Sequence, residues 1–537
     1  MTLEHPPSPT MNRRKFLVGS ASLIGTSVIC RHVFGQGSPS VLASTARPAS
    51  VPGQLAIAFD SPSHLVPENY LGLSYELAQL TDPNFFAASN RELVALFRLL
   101  SPRGVLRLGG NSSESCWLKV EPTTTAPELP PVAGPISEHW MPRELFMLPP
   151  ESIGQLTGFL RATGWQLIYG LNFGHSSPDR LAREAEFVSR RVGDSLLYFQ
   201  IGNEPDFYSA PNNRTRPANW GFDDYLAEWT ACTAAIVQRV PGARFGGPDV
   251  GASSKWIAQF IPAAGAKLGS RLVGISGHYY AEGPPDDPKV TTERLLKTNP
   301  EVGATAKATS SLAAQNHLVY RMTEGNSCYR GGKPGMSDAL ASALWGGDYL
   351  LTLAAAGCAG VNLHGGSRNV LKASLGNKMP GELVAKAGSD PKGGYYTPIA
   401  GEIDQGFKAR PLFYGMLLAN QFAGTQTREV TFSAGGIDAT AYAGQHPDGG
   451  WRIAIFNKDS SRTLDLIVQT PPRCRQGKVW RLVGPSLDAT AGISLAGAEV
   501  GPDLTWSART VEDYAVTDGH VRLAVPCDSA ALLFLGA

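Results

Sequence analysis

The sequence predicts an α/β protein: a (β/α)8 barrel of the TIM type, followed by an antiparallel β-sandwich that takes in one N-terminal strand. Two patterns carry this. From about 67 to 422, short apolar runs alternate eight times with helical stretches, and each run ends in a polar residue. Buried parallel strands read this way when their C-terminal ends form one functional face. Beyond 423 the helical spacing gives way to short alternating strands separated by turn residues, the pattern of a sandwich.

Strict alternation implies parallel strands with right-handed crossovers, and eight of them close on themselves. The strands are read at 70–76, 104–111, 166–172, 197–204, 243–249, 272–279, 318–324 and 360–365. Their terminal polar residues are Glu76, Asn111, Asn172, Asn203-Glu204, Asp249, His278-Tyr279, Glu324 and His364. Helices are read at 92–100, 151–163, 178–192, 222–239, 254–266, 302–315, 337–356 and 409–422. A doubly wound sheet would need a Gly-rich phosphate turn after its first strand, and Leu71-Gly-Leu-Ser-Tyr-Glu76 has none. The run 54–60 has no barrel partner and is expected to cross over to the sandwich. This divides the chain into a strand at 51–66, a barrel at 67–422 and a sandwich at 423–537.

At 537 residues the chain exceeds what one ordinary core supports, which also favours two domains. A formal net charge of +1 argues against a general polyanion-binding surface, so no nucleic-acid partner is expected. Met11-Asn-Arg-Arg-Lys-Phe-Leu17 precedes a mildly apolar stretch of signal-peptide length, too short to span a bilayer. The Arg13-Arg14 pair resembles a twin-arginine export signal, with a linker running to about residue 50, so a periplasmic or secreted product without a membrane segment is expected. Ile29 is bulky for a lipidation site at Cys30. The other six cysteines show no zinc-type spacing and are read as free buried thiols, since export after folding implies folding in a reducing compartment.

Leu197-Tyr-Phe-Gln-Ile201 leads into Gly202, Asn203, Glu204 and Pro205. Pro205 cannot donate to a ladder, so the strand stops there and hands Glu204 to the barrel mouth. Strand seven, Leu318-Val-Tyr-Arg-Met-Thr-Glu324, delivers a second carboxylate to the same face. One Glu after a strand is commonly a loop cap. Two on strands four and seven are what retaining glycoside hydrolysis requires, one carboxyl as acid and one as nucleophile. Tyr279 and the inward-pointing Arg107 are expected to keep the nucleophile ionised, and Asn203 to bind a sugar hydroxyl. His278 and His364 lack metal-ligand spacing and are read as site or core histidines. No metal or cofactor is expected.

Ile201-Gly-Asn-Glu-Pro205 and Met322-Thr-Glu-Gly-Asn326 resemble the acid/base and nucleophile motifs of clan A retaining hydrolases. More narrowly, the chain resembles glycoside hydrolase family 79, the β-glucuronidases and heparanase-like enzymes. The resemblance rests on Ser74-Tyr-Glu76, Leu106-Arg-Leu-Gly-Gly-Asn111, Gly277-His-Tyr-Tyr280, Tyr329-Arg-Gly-Gly332, Gly360-Val-Asn-Leu-His-Gly-Gly366 and Pro411-Leu-Phe-Tyr-Gly-Met-Leu417, and it covers about 54–537. It implies Glu204 as acid/base and Glu324 as nucleophile. Glu76 and Asn203 would bind sugar hydroxyls, and Tyr329, Gly331, Gly332 and Tyr396 would hold the uronic carboxylate, with Asn111 and Tyr279 also lining the substrate site. Its substrate would be a glucuronide-containing oligosaccharide or glycan. The Pro-rich 122–150 insertion, with Glu138, His139 and Trp140, is expected to wall off one end of the cleft and favour exo action. The alternatives left open are heparanase-like endo-cleavage, a clan A arabinofuranosidase or xylosidase, and a non-catalytic glycan-binding protein. Oligomeric state is open.

Overall fold

The computed structural model describes residues 49–61, 63–129, 141–142, 144–386, 393–472 and 474–536. The expected signal and linker, Cys30, Glu138, His139 and Trp140 lie outside the described residues.

Eight parallel strands close into a barrel in chain order: Leu71–Glu76, Val105–Gly109, Gln166–Leu171, Leu196–Ile201, Phe245–Val250, Leu272–Glu282, Val319–Cys328 and Gly360–Gly365. The eighth pairs with the first through Val361↔Leu71 to Gly365↔Tyr75. Strands one, two, five and eight are buried at every position, which is why they read as continuous apolar runs. The lower lumen is filled by Arg321 and Asn362, and Gly72 and Gly360 make room for them. A Cβ on Gly72 would collide with Asn362, and one on Gly360 with the Arg321 guanidinium.

The helices start where side chains can cap them. Asn90, Ser177, Ser253, Thr291 and Asn299 each accept a backbone N–H of the helix that follows. Proline opens the helices Pro150–Thr163, Pro178–Val192, Pro300–Gln315 and Pro411–Asn420, where its missing donor costs nothing. Leu340–Ala355 and Pro411–Asn420 are buried almost all round and lack an amphipathic period. Their placement explains this: the two pack on each other through Gly415 and Ala343, and Gly347 faces Phe456 of the sandwich.

One sandwich sheet has the order Val430–Ser433, Ala49–Ile57, Arg462–Gln469, His520–Val525. The other is built around Ala439–Gln445, Trp451–Asn457, Ser529–Leu535 and Gln476–Val483. Leu55 and Ile57 of the N-terminal strand join Ile453, Ile455, Leu464, Leu466, Val521 and Leu533 in a separate core between the sheets. That strand runs antiparallel to Val430–Ser433 but parallel to Arg462–Gln469, an exception to the expected antiparallel pattern. It arrives from the far end of the chain, so no hairpin dictates its direction. Lys458 ties the sandwich to the barrel: its buried Nζ donates to Asp348 Oδ2 at 2.7 Å and to Thr298 Oγ1 at 2.5 Å.

Candidate active site

The polar residues at the C-terminal ends of the strands converge at the barrel mouth. After Ile201 the chain turns through Gly202 (φ 91°) and Glu204 (φ 49°, ψ 50°), and Pro205 opens a short 3-10 turn. The Glu204 amide donates to Asp249 O at 2.9 Å. Strand seven carries an irregularity between Met322 and Glu324 against strand six, and strand five carries one between Pro248 and Val250. Bulges of this kind re-aim side chains. Here they turn Thr323 and Asp249 toward each other (Thr323 Oγ1 to Asp249 Oδ1, 2.5 Å) and leave Glu324 facing Glu204.

Carboxylate oxygens of Glu204 and Glu324 lie within 4.8 Å of each other, with a ring nitrogen of His278 inside the same radius. A retaining pair is separated by about 5–5.5 Å and an inverting pair by about 6.5–9.5 Å. The two carboxyls are in opposite electrostatic settings. Burial would raise Glu324, but the charges of His364, His278 and Arg107 and a hydrogen bond from Tyr280 hold it down at about 2. Arg107 Nη1 lies 2.5 Å from Glu324 Oε2, and Tyr280 Oη donates to Oε1 at 2.8 Å. Glu204 is raised, chiefly by burial and also by the nearby negative charges of Glu324 and Asp206, against the pull of His278.

His278 sits between carboxylates. Its Nδ1 is 2.9 Å from Glu204 Oε1 and its Nε2 is 3.2 Å from Asp249 Oδ1, the second an ion-pair contact of poor hydrogen-bond alignment. Burial pulls the imidazole down, but Asp249 and Glu324 outweigh it and push it up to about 10. Glu204, His278 and Glu324 have the composition of a metal site. An imidazolium directed at two carboxylates, however, is a donor rather than a ligand. Asp249 is held well below the usual carboxylate range, against its own burial, by Arg107 and His278.

The other expected residues distribute as follows. Glu76 accepts the Ser112 amide at 2.8 Å and lies 3.5 Å from His364 Nε2, whose Nδ1 is 3.7 Å from Glu324. Asn203 Oδ1 accepts from Arg107 Nη2 at 2.8 Å, and its Nδ2 reaches Asn111 Oδ1 at 3.4 Å. Tyr329 and Tyr396 flank Tyr280, each with ring centroids 6.3 Å from it. Arg330, Gly331 and Gly332 have φ of 57°, 90° and 85°, three consecutive positive values in the loop after strand seven. Only glycine fits at 332, where a Cβ would approach Tyr396 N to 2.6 Å. Asn326 Nδ2 holds the Tyr396 loop by donating to Tyr396 O at 3.0 Å and to His364 O at 2.7 Å.

Tyr279 is placed elsewhere. Its ring stacks on Tyr349 (5.3 Å, 17°), which stacks on Trp345 (5.0 Å, 11°), outside the barrel against helix Leu340–Ala355. The hydroxyl expected from Tyr279 is supplied by Tyr280. Strand six runs on to Glu282, so alternation from the inward His278 selects Tyr280. Asp249 was legible only as a strand-end carboxylate; its contact with Arg107 depends on the bulge.

No family model matches the chain. It is 26% identical, over 91% of its length and 93% of the relative's, to a protein of Aspergillus niger named beta-glucuronidase. A Neurospora crassa protein of the same name is 25% identical over 61% of this chain and 64% of its own. Among solved structures, the 4-O-α-L-rhamnosyl-β-D-glucuronidase of Fusarium oxysporum superposes with a TM-score of 0.69 at 16% identity, covering 89% of this chain and 99% of that one. The family 51 arabinofuranosidase of Xanthomonas axonopodis pv. citri superposes with a TM-score of 0.58 at 15% identity, over 91% and 100%. These likenesses establish the barrel-plus-sandwich fold.

Proposed function

We propose that the chain is a retaining β-glucuronidase that removes terminal β-D-glucuronic acid by double displacement. The observation that carries this is the Glu204–Glu324 pair, within 4.8 Å and driven apart in acidity. Glu204 gives its proton to the glycosidic oxygen while Glu324 attacks the anomeric carbon. The leaving alcohol departs and a glycosyl ester forms on Glu324. Glu204, now ionised, takes a proton from water, whose oxygen attacks the same carbon and frees Glu324. His278 stabilises the ionised form of Glu204, and Arg107 and Tyr280 keep Glu324 anionic for attack.

The glucuronide reading is supported by the two relatives of that name and by the cluster of Tyr329, Gly331, Gly332 and Tyr396 beside the nucleophile. Hydroxyl and amide donors bind a uronate without a cation that would compete for Glu324. Glu76 and Asn203 take sugar hydroxyls, in the manner of family 79. Exo action is part of this reading on the strength of the Pro-rich 122–150 sequence alone. The Arg13-Arg14 pair, which resembles a twin-arginine signal, supports a periplasmic or secreted enzyme.

The test is release of nitrophenol from 4-nitrophenyl β-D-glucuronide beside the matching glucoside, xyloside and arabinoside. Strong preference for the glucuronide is expected. Turnover of a pentoside with none of the glucuronide would sink the uronate assignment and leave the arabinofuranosidase or xylosidase reading.

A further inference from the structure

Glu114 is fully buried in the 3-10 turn Asn111–Ser115 that follows the second barrel strand. Its Oε1 accepts the Asn203 amide at 2.7 Å and the Ser113 hydroxyl at 3.3 Å, and its Oε2 accepts the Gly174 amide. Its own carbonyl is 2.6 Å from His175 Nδ1. One side chain therefore joins the loops after strands two, three and four. Burial pushes this carboxyl up to about 7, against the hydrogen bonds it receives. An ionised group at such a site is costly, so its retention calls for a local reason.

The reason lies one residue away. Glu204 is held at φ 49°, in the left-handed region that a β-carbon disfavours, directly after Gly202 at φ 91° and Asn203. Such a conformation persists only when its surroundings over-determine it. The Glu204 amide is fixed by Asp249 O and the Asn203 side chain by Arg107. The Asn203 amide, between the two positive-φ residues, is fixed by Glu114.

We propose that Glu114 is a positioning residue for the acid/base: by taking the amides of Asn203 and Gly174 on its two oxygens, it sets the turn that presents Glu204 to the glycosidic oxygen. This rests on the reading of Glu204 as the acid. Glutamine cannot replace it, because one acceptor oxygen would become an NH2 group facing an amide donor.

The experiment measures kcat/KM for phenyl and 2,4-dinitrophenyl β-D-glucuronide in the wild type, Glu114→Gln, Glu114→Asp and Glu204→Gln. A poor leaving group needs the proton and a good one does not. General acid catalysis is worth about 10²–10⁴-fold, so a displaced acid in Glu114→Gln should lower the phenyl value about tenfold or more relative to the dinitrophenyl value. Glu114→Asp, with the carboxylate one methylene short, should fall between. Azide should raise kcat on the dinitrophenyl substrate in Glu114→Gln, as in Glu204→Gln, by replacing water at the step that needs the base. A purely structural role would lower both substrates equally. That result in folded Glu114→Gln, or in Glu114→Asp if the glutamine variant does not fold, overturns the proposal. If Glu204→Gln itself shows no leaving-group dependence, the acid assignment falls and the proposal with it. If Glu204→Gln is steep while the Glu114 variants are flat, only the proposal falls.

Discussion

Two guanidinium groups are buried in one barrel lumen, and they are treated in opposite ways. At the mouth, Arg107 gives its Nη atoms to Asp249 and Glu324, both at 2.5 Å, and to Ser74 and Asn203, and its Nε to Gln200. Near the floor, Arg321 donates to Asn362 Oδ1 at 2.7 Å and to the carbonyls of Asn69, Tyr70 and Ala359, all neutral. Burial pulls Arg321 down to about 10, whereas two carboxylates lift Arg107 above its ordinary value despite equal burial. A cation solvated by dipoles fills space and satisfies backbone acceptors. A cation matched to carboxylates stores an oriented field, and in this barrel that field lies where negative charge must be kept on Glu324.

Arg107→Met should break the contrast most severely. It removes the guanidinium that Asp249 and Glu324 share and leaves only imidazoles facing them, so kcat/KM should fall about 10³-fold and unfolding in urea should show a loss of about 3–5 kcal/mol. Retention of most activity would put the two arginines in one class. Tyr280→Phe should cost about 10–100-fold in kcat/KM through the lost hydrogen bond to a buried charge, while Tyr279→Phe should change it less than about twofold. Equal effects would undo the assignment of Tyr280. Arg321→Met leaves Asn362 and three carbonyls short of a donor. It should cost about 2–3 kcal/mol of stability, with kcat per folded molecule within about threefold.

The smallest expected effect is on pH. Glu184, buried and accepting Tyr169 Oη at 2.9 Å, is pushed up to about 7 by burial. A raised folded value means that its contribution to stability is full below about 4.5, the unfolded value, and is lost as pH rises through 7. Thermal unfolding of Glu184→Gln should therefore decline less between pH 5 and 8 than that of the wild type. Glu324 and Asp249 act with the opposite sign, because their depressed values add stability that disappears only in strong acid.

The barrel was legible because each parallel strand, buried on both faces, must be a short apolar run, and each run had to hand a polar residue to the mouth. Strand register was not legible. The bulges at Asp249 and Thr323 arise where strands five and seven pair with strand six across intervening helices, and they bring Asp249 and Thr323 into contact and set how Glu324 faces Glu204. The Tyr279–Tyr280 choice failed for a related reason, since strand six extends past the tyrosines to Glu282. The sequence pattern places the N-terminal strand at 54–60, whereas it spans Ala49–Ile57, because Pro52-Gly53 looks like a break. Those residues pair only with Arg462–Gln469, while Val430–Ser433 pairs only from Gln54 onward, so Pro52 lies on a locally free edge where its missing donor is tolerated. Glu114 carries no signal a linear reading can weigh, since its partners follow strands three and four.

The strand Ala49–Ile57 lies inside a sheet whose flanking strands begin at 430 and 462. During vectorial synthesis it must wait, unpaired, until nearly the whole chain has left the ribosome. Sandwich assembly is therefore a late event that joins the two ends of the polypeptide, while every barrel pair except the closing one, eighth strand on first, joins strands consecutive in the chain. It also limits maturation: a proteolytic cut that removed this strand would open the middle of a finished sheet, so processing compatible with the folded enzyme must stop short of Ala49.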